Sequence, residues 1–313
     1  SNWVFRNNIA QGIASLEGAP LDYWSGIVIE TFYKGNVSFE RNQVLLGTAN
    51  ATTNYLYYER GTVNGTRSAT PNWWGSILGP ATGKISGTGQ YDPWCGDADC
   101  SFLVSAAEPE EDGFYVKDGK LFIKGHVNVP GGIEINEPGL TVVLEDGAVV
   151  QNDAPCFTVD ADNVTITSAT PGGLPKCVPT DGDHGIFVNG GVSGVRIVGI
   201  EIDGKDQETG DGIHFAGAIN NFQIVNNYIH DLDGDGVEFT AQPTGEVMEI
   251  QGNLFQNNGG LGVNAGTFEV NAEYNSWGDI DGPEAGDGIS ANVDADPWTH
   301  VDLYMTAAPW ADK

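Results

Sequence analysis

A short motif returns at near-constant intervals along this chain, and that recurrence limits the folds open to it. The copies are His184-Gly-Ile-Phe-Val188, Asp211-Gly-Ile-His-Phe215, Asp235-Gly-Val-Glu-Phe239 and Leu261-Gly-Val-Asn-Ala265, spaced by 27, 24 and 26 residues. Repeats of this period are units that cannot bury an apolar face alone and must stack. Strand alternation sends Ile186/Val188, Ile213/Phe215, Val237/Phe239 and Val263/Ala265 inward. It turns Phe187, His214, Glu238 and Asn264 outward. A second column follows in Val195/Ile197, Phe222/Ile224, Met248/Ile250 and Phe268/Val270. Three residues further on lie Ile200, Asn227 and Asn253, a corner where stacked asparagines can bond from coil to coil and tolerate left-handed backbone. The predicted architecture is all-β, a parallel β-solenoid. The 44 glycines suit its many turns, and no long stretch carries helical periodicity.

The two ends of the chain also match. Asn72-Trp-Trp-Gly75, Gly79-Pro80 and Asp92-Pro-Trp94 recur as Asn275-Ser-Trp-Gly278, Gly282-Pro283 and Asp296-Pro-Trp298. Ser101-Phe-Leu-Val-Ser-Ala-Ala107 loosely matches Val301-Asp-Leu-Tyr-Met-Thr-Ala-Ala308. A solenoid must cover the open end of its last coil, and large aromatics with Gly-Pro turns suit a lid. The sequence therefore divides into residues 1–104, the terminal part of a first β-helix with its cap motif; 105–112, an acidic linker; and 113–313, a second β-helix with its own cap motif. Asn2-Trp-Val-Phe-Arg-Asn-Asn8 reads as mid-coil, comparable with Ile224-Val-Asn-Asn-Tyr228, and no opening cap precedes it. An uncovered coil is a template for pairing, so head-to-tail self-association is expected.

The D-G-[IV]-x-F coils, the asparagine corners and the terminal N-x-W-G, G-P and D-P-W signature resemble the right-handed parallel β-helix (pectate-lyase-like) superfamily, in particular its adhesin-like extracellular members. The resemblance covers most of 113–300 and the terminal part of a second copy in 1–104. It implies a fold, whereas activity varies widely on that fold.

Charge and cysteine usage bound the setting. Against 43 acidic residues stand 13 Lys plus Arg, a net charge of −30, which excludes nucleic acid and anionic membrane surfaces as partners. Cys95/Cys100 and Cys156/Cys177 form two local pairs that favour disulfides, and these require an oxidising compartment. Sequons at Asn36, Asn50, Asn64 and Asn163 agree with an extracellular or cell-surface location. No membrane span is visible.

The chemically richest stretch runs from Asp211 to Glu238. Asp211 and Asp235 align on successive coils about 4.8 Å apart, as do the outward His214 and Glu238. Three readings stand open: ordinary Asp-Gly turns, a Ca²⁺ site from Asp211, Asp231, Asp233 and Asp235, or paired carboxylates for glycoside cleavage with Asp211, His214, Asp235 and Glu238. Asp231-x-Asp233-x-Asp235-Gly236 opens like a calcium loop, but Gln242 replaces the closing Glu, which argues against an EF-hand. The resemblance implies that a polyuronate lyase needs cationic groups, and from 181 to 312 only Arg196 and Lys205 supply them. Asp183-His-Gly185 partly echoes, and Arg196-Ile-Val departs from, the signatures of polygalacturonase-type hydrolases. His126 and His300 stand alone, and the tryptophans concentrate in the cap motifs. The expected function is a structural or adhesive surface solenoid that associates with itself or with other surface proteins. The alternatives are a polysaccharide hydrolase or lyase, or a glycan-binding module.

Overall fold

The structure, a computed structural model, describes residues 2–13, 27–30, 36–46, 55–60, 65–87, 90–152, 154–180, 182–204 and 209–299. These residues contain no helix. Mostly parallel strands form a β-solenoid of about 9 turns. The chain packs as two compact units, 1–109 with 114–121, and 110–113 with 122–313.

The larger unit has three faces, each a stack of parallel strands. Thr141–Leu144, Thr165–Ser168, Ser193–Val198, Asn220–Val225 and Thr244–Gln251 belong to the first. The second runs from His126–Val127 through Val149–Asn152, Lys176–Pro179, Glu201–Asp203 and Tyr228–His230 to Leu254–Gln256. The third contains the repeated motif: Ile133–Ile135, Phe157–Val159, Ile186–Val188, Ile213–Phe215, Val237–Phe239 and Val263–Asn264. Register follows the alternation, with Ile186 beside Ile213, Ile213 beside Val237 and Val237 beside Val263. These side chains are fully buried, and Phe215 stacks on Phe239 with ring centroids 4.7 Å apart. Burying a Val, Ile or Phe side chain contributes about 1.5–3 kcal/mol, so the inward columns carry the coil stack. Cys156–Cys177 is a disulfide within this core, both residues fully buried.

Corners need a second device, because the sheet ladders stop there and the buried backbone groups still require partners. Asn227 donates its amide N–H and its side-chain N–H to Asn253 Oδ1, at 2.9 and 3.0 Å. Asn253 does the same to Asn275 Oδ1, at 2.9 and 3.0 Å. The remaining Nδ2 protons reach the carbonyls of Ile197, Ile224 and Ile250. Left-handed backbone sits one residue earlier than the sequence reading placed it, at Gly199, Asn226, Gly252 and Tyr274. Two adjacent positions thus divide the task, one turning the chain and the next bonding along the solenoid.

The smaller unit repeats this plan. Its faces are Asn2–Arg6, Asn36–Glu40 and Arg67–Ser68; Ile9–Ile13 and Gln43–Leu46; and Ile27–Glu30, Tyr57–Arg60 and Ile85–Ser86. Asn8, Asn42 and Asn72 form the same ladder, and Asn42 and Asn72 donate to the carbonyls of Phe5 and Phe39. The cap motif therefore begins with the last ladder asparagine in both copies, Asn72 and Asn275. Both continue alike: Gly79 and Gly282 have φ of 87° and 83°, and a Cβ at either would lie 2.6 Å from the indole of Trp94 or Trp298. In the first cap Cys95–Cys100 is a disulfide, and Trp94–Cys95 pairs antiparallel with Leu103–Ser105.

Three details differ from the sequence reading. Met248 is 38% exposed although it is in register with the buried Phe222, and just before it the later strand carries two extra residues, Asn220 facing Thr244 and Phe222 facing Met248. Val270 leaves the first face and pairs with Val293, after Gly266 turns the chain at φ 56°. Phe114 and Tyr115, expected to open the second copy, pair with Val104 and Ser105 of the smaller unit. The stretch matching Ser101–Ala107 in the second copy, 301–308, lies outside the described residues.

The ladder makes a quantitative prediction. Asn253→Leu keeps the branched shape but leaves the Asn227 donors and the Ile224 carbonyl unpaired in a buried corner, at about 1–3 kcal/mol for each such group. Urea unfolding should show a loss of about 3 kcal/mol or more. A loss no larger than that of an exposed control such as Gln223→Leu would refute the ladder's role.

Candidate functional site

The outer column of the third face gathers the side chains that the sequence singled out. Register places Phe187, His214, Glu238 and Asn264 on consecutive coils, and His184 and Asp211 lie at the corner just before. His214 Nδ1 lies 2.9 Å from Asp211 Oδ2 and 2.8 Å from Glu238 Oε2. His184 Nδ1 lies 3.3 Å from the same Asp211 oxygen and 2.9 Å from the Asp211 amide. One ring nitrogen cannot accept from the amide and donate to the carboxylate at once. The shorter amide contact makes His184 Nδ1 the acceptor. The His184 and His214 rings stack at 4.3 Å, and Phe187 stacks on His214 at 5.3 Å.

Asp211 and Glu238 are driven apart. Burial pushes the Asp211 carboxyl up, but hydrogen bonds from His214 and the Asp235 amide outweigh it and hold it below the usual range. Glu238 is raised, first by burial and then by the negative charge and hydrogen bond of Asp211. Two neighbouring carboxyls with opposite shifts are the usual mark of an acid paired with a base.

The aspartates also hold coil to coil. Asp211 Oδ1 accepts the Asp235 amide at 2.7 Å, and Asp235 Oδ1 accepts the Leu261 amide at 2.5 Å. Asp235 Oδ2 takes Asn264 Nδ2. The other carboxylates of the expected calcium set point elsewhere: Asp231 to His230 and Asn257, Asp233 to the Thr209 amide. Residues 231, 233 and 235 lie in a corner rather than a strand, so their spacing does not give them a common face. Among the described residues, two groups bring three ligand-type side chains within 4.8 Å of one another. One is His184, Asp211 and His214; the other is Glu201, Asp203 and His230. Asp231, Asp233 and Asp235 belong to neither.

The second group lies on the second face and escaped the sequence reading. Lys176 Nζ bridges Glu201 at 2.6 Å and Asp203 at 3.0 Å. His230 reaches Glu201 at 3.1 Å and Asp231 at 2.8 Å, and Tyr228 stacks on it at 3.8 Å. Burial alone would lower the His230 pKa, yet hydrogen bonds to Glu201 and Asp231 and the Asp203 charge raise it. Lys176 is raised in the same way, with burial opposing and the two carboxylates prevailing. The available signal was the outward column Lys176, Glu201, Tyr228, visible once the repeat is extended back to residue 176.

Of the remaining candidates, Asn36 and Asn163 are exposed, while Asn50, Asn64, Lys205 and His300 lie outside the described residues. His126 and Arg196 are exposed and belong to neither group.

No family model matches the chain, and no solved structure does. It is similar to a protein named cysteine proteinase 2 from Dictyostelium discoideum, 32% identical over 114 residues, which cover 36% of this chain. The chain spans only about a quarter, 26%, of that protein's length.

The shifts set a pH dependence. His230 has a folded value above its unfolded one, so its stabilisation is fully present below about pH 6.5 and is lost as pH rises through the folded value. Asp287 is pushed by burial from 3.8 to about 6, against hydrogen bonds from Asn258 and with help from the Asp231 charge. Its relative contribution is likewise lost as pH rises from 3.8 through about 6. Denaturation measured from acid to alkaline pH should show stability falling in both windows. Asp287→Asn should flatten the lower window and His230→Gln the upper, and slopes unchanged by these substitutions would contradict the assignment.

Proposed function

We propose that this chain is an extracellular structural or adhesive β-solenoid, a surface scaffold whose outer carboxylates act first in coil-to-coil cohesion. The observation that carries this reading is the use made of the Asp-Gly column. Asp211 caps the Asp235 amide, and Asp235 caps both the Leu261 amide and Asn264. A carboxylate committed to a neighbouring coil's amide is a structural acceptor before it is a reagent. Two disulfides, with the Cys156–Cys177 pair inside the core, suit an oxidising compartment. Among the described residues no helix is long and apolar enough to cross a membrane. Among the described residues, the sequons at Asn36 and Asn163 are exposed and open to glycosylation. The net charge of −30 keeps such a surface solvated and directs it away from anionic polymers.

One observation favours a second reading. The opposed shifts of Asp211 and Glu238 around His214 are the arrangement that a carbohydrate-active hydrolase or lyase would use. A cysteine-proteinase activity gains no support, because all four cysteines of the chain are in disulfides and none is left as a thiol nucleophile.

The two readings part on one pair of variants. If cohesion is the role, Asp235→Ala lowers Tm by about 2–6 °C, and the wild-type chain releases neither reducing ends nor unsaturated sugars from a panel of neutral and acidic polysaccharides. Sedimentation of the same sample reads out self-association. Release of product that Glu238→Gln abolishes while Tm is unchanged would overturn the structural reading in favour of the enzyme.

A further inference from the structure

The two His–carboxylate groups of the larger unit differ in one respect. On the second face, Glu201 and Asp203 are neutralised from within by Lys176, which lies at 2.6 and 3.0 Å. On the third face, His184, Asp211, His214 and Glu238 come together with no Lys or Arg ion pair among the described residues. Two carboxylate oxygens, from Asp211 and Glu238, face the same His214 nitrogen at 2.9 and 2.8 Å, and one N–H cannot serve both fully. A proton on Glu238 or a bound cation would relieve the repulsion between these oxygens, and no Lys or Arg among the described residues does so.

We propose that His184, Asp211 and His214 form a site for a divalent transition-metal ion of the zinc class, with Glu238 alongside. Their ligand atoms lie within 4.8 Å of one another. Bonds of about 2.0–2.2 Å to nitrogen and carboxylate oxygen bring tetrahedral ligand atoms about 3.3–3.5 Å apart. The His184–Asp211 and His214–Asp211 separations of 3.3 and 2.9 Å require only a small opening of the cluster. Two imidazoles and a carboxylate select zinc, iron or cobalt, whereas calcium demands six to eight oxygens. His184 and His214 stack at 4.3 Å and 24°, with Phe187 behind His214, so one imidazole must turn out of the stack for both lone pairs to meet at one ion. Half-burial limits competition by water, with side-chain exposures of 25% for His184, 11% for Asp211 and 15% for His214. Ligation by His184 Nδ1 replaces its contact with the Asp211 amide. Three protein ligands leave coordination open to solvent or to a ligand, as in catalytic rather than structural zinc sites. The proposal stands whether the solenoid is a scaffold or an enzyme.

The test is titration of the chelator-treated full chain with Zn²⁺ by calorimetry in millimolar Ca²⁺, which masks the acidic surface. Co²⁺ absorption serves as a second readout. One ion per chain should bind, giving the visible bands of low-symmetry Co²⁺. His214→Gln should weaken binding on the order of 100-fold and His184→Gln at least about 10-fold, while His230→Gln on the second face should leave it unchanged. Apo melting temperatures of the variants show that each one folds. Absence of saturable binding would overturn the site, as would affinity indifferent to His184 and His214 or lost with His230→Gln.

Discussion

The fold depends on pairing buried polar groups at its corners. Parallel ladders satisfy the three faces, but at each bend the backbone leaves the sheet while still inside the protein. At one corner of the later coils Asn227, Asn253 and Asn275 close that gap, joining coil to coil through Oδ1 and Nδ2. Asn8, Asn42 and Asn72 do so in the other unit. Every donor and acceptor of Asn253 is used, which is the condition under which a buried polar network stabilises rather than destabilises. The ladder also fixes register, because a coil slipped by one residue would bury a turn residue in place of the amide. The cap motifs begin with Asn72 and Asn275 for the same reason: each is the last rung.

The stacking that makes this core possible constrains the surface. Parallel in-register coils set outward residues above one another about 4.8 Å apart, so an acidic sequence becomes columns of like charge. Each column needs its own remedy. On the second face Lys176 and His230 stand among Glu201, Asp203 and Asp231. On the third, the carboxylates of Asp211 and Asp235 take backbone amides, and Asp211 and Glu238 separate in pKa. What resembles an active-site cluster is partly the cost of building an anionic solenoid, which is why the capping bonds weigh more than the pKa shifts in assigning its role.

Much of this was legible in the sequence. Period-two alternation from Ile186 to Ala265 gave the inward columns, and the paired Cys residues gave both disulfides. The duplicated cap motif became visible as the same close approach of glycine to indole in both copies, Gly79 to Trp94 and Gly282 to Trp298. Other features were hidden for physical reasons. Met248 follows an irregularity that no hydrophobic pattern encodes, and the turn-forming position differs from the ladder position by a single residue. The Lys176–Glu201–His230 group draws one residue from each of three coils. Its first member precedes the clear repeats, so the column is complete only when register is known. Asp231, Asp233 and Asp235 stand close in sequence, yet within their corner their carboxylates bond to different partners.

A repeat that specifies its fold this strongly leaves function to whatever breaks the repeat. At the outward position of the third face the residues run Phe187, His214, Glu238 and Asn264, four chemistries in one column, while the inward neighbours stay aliphatic or aromatic. Cohesion alone would tolerate a repeated Asn or Thr there. The departure is concentrated where His184 and Asp211 approach from the adjoining corner, so the coils around 184–238 hold the chemistry in which this solenoid differs from a uniform stack. A transition-metal ion would tie together side chains from neighbouring coils at that place, adding a cross-coil link on the outer surface to the one the asparagines provide within.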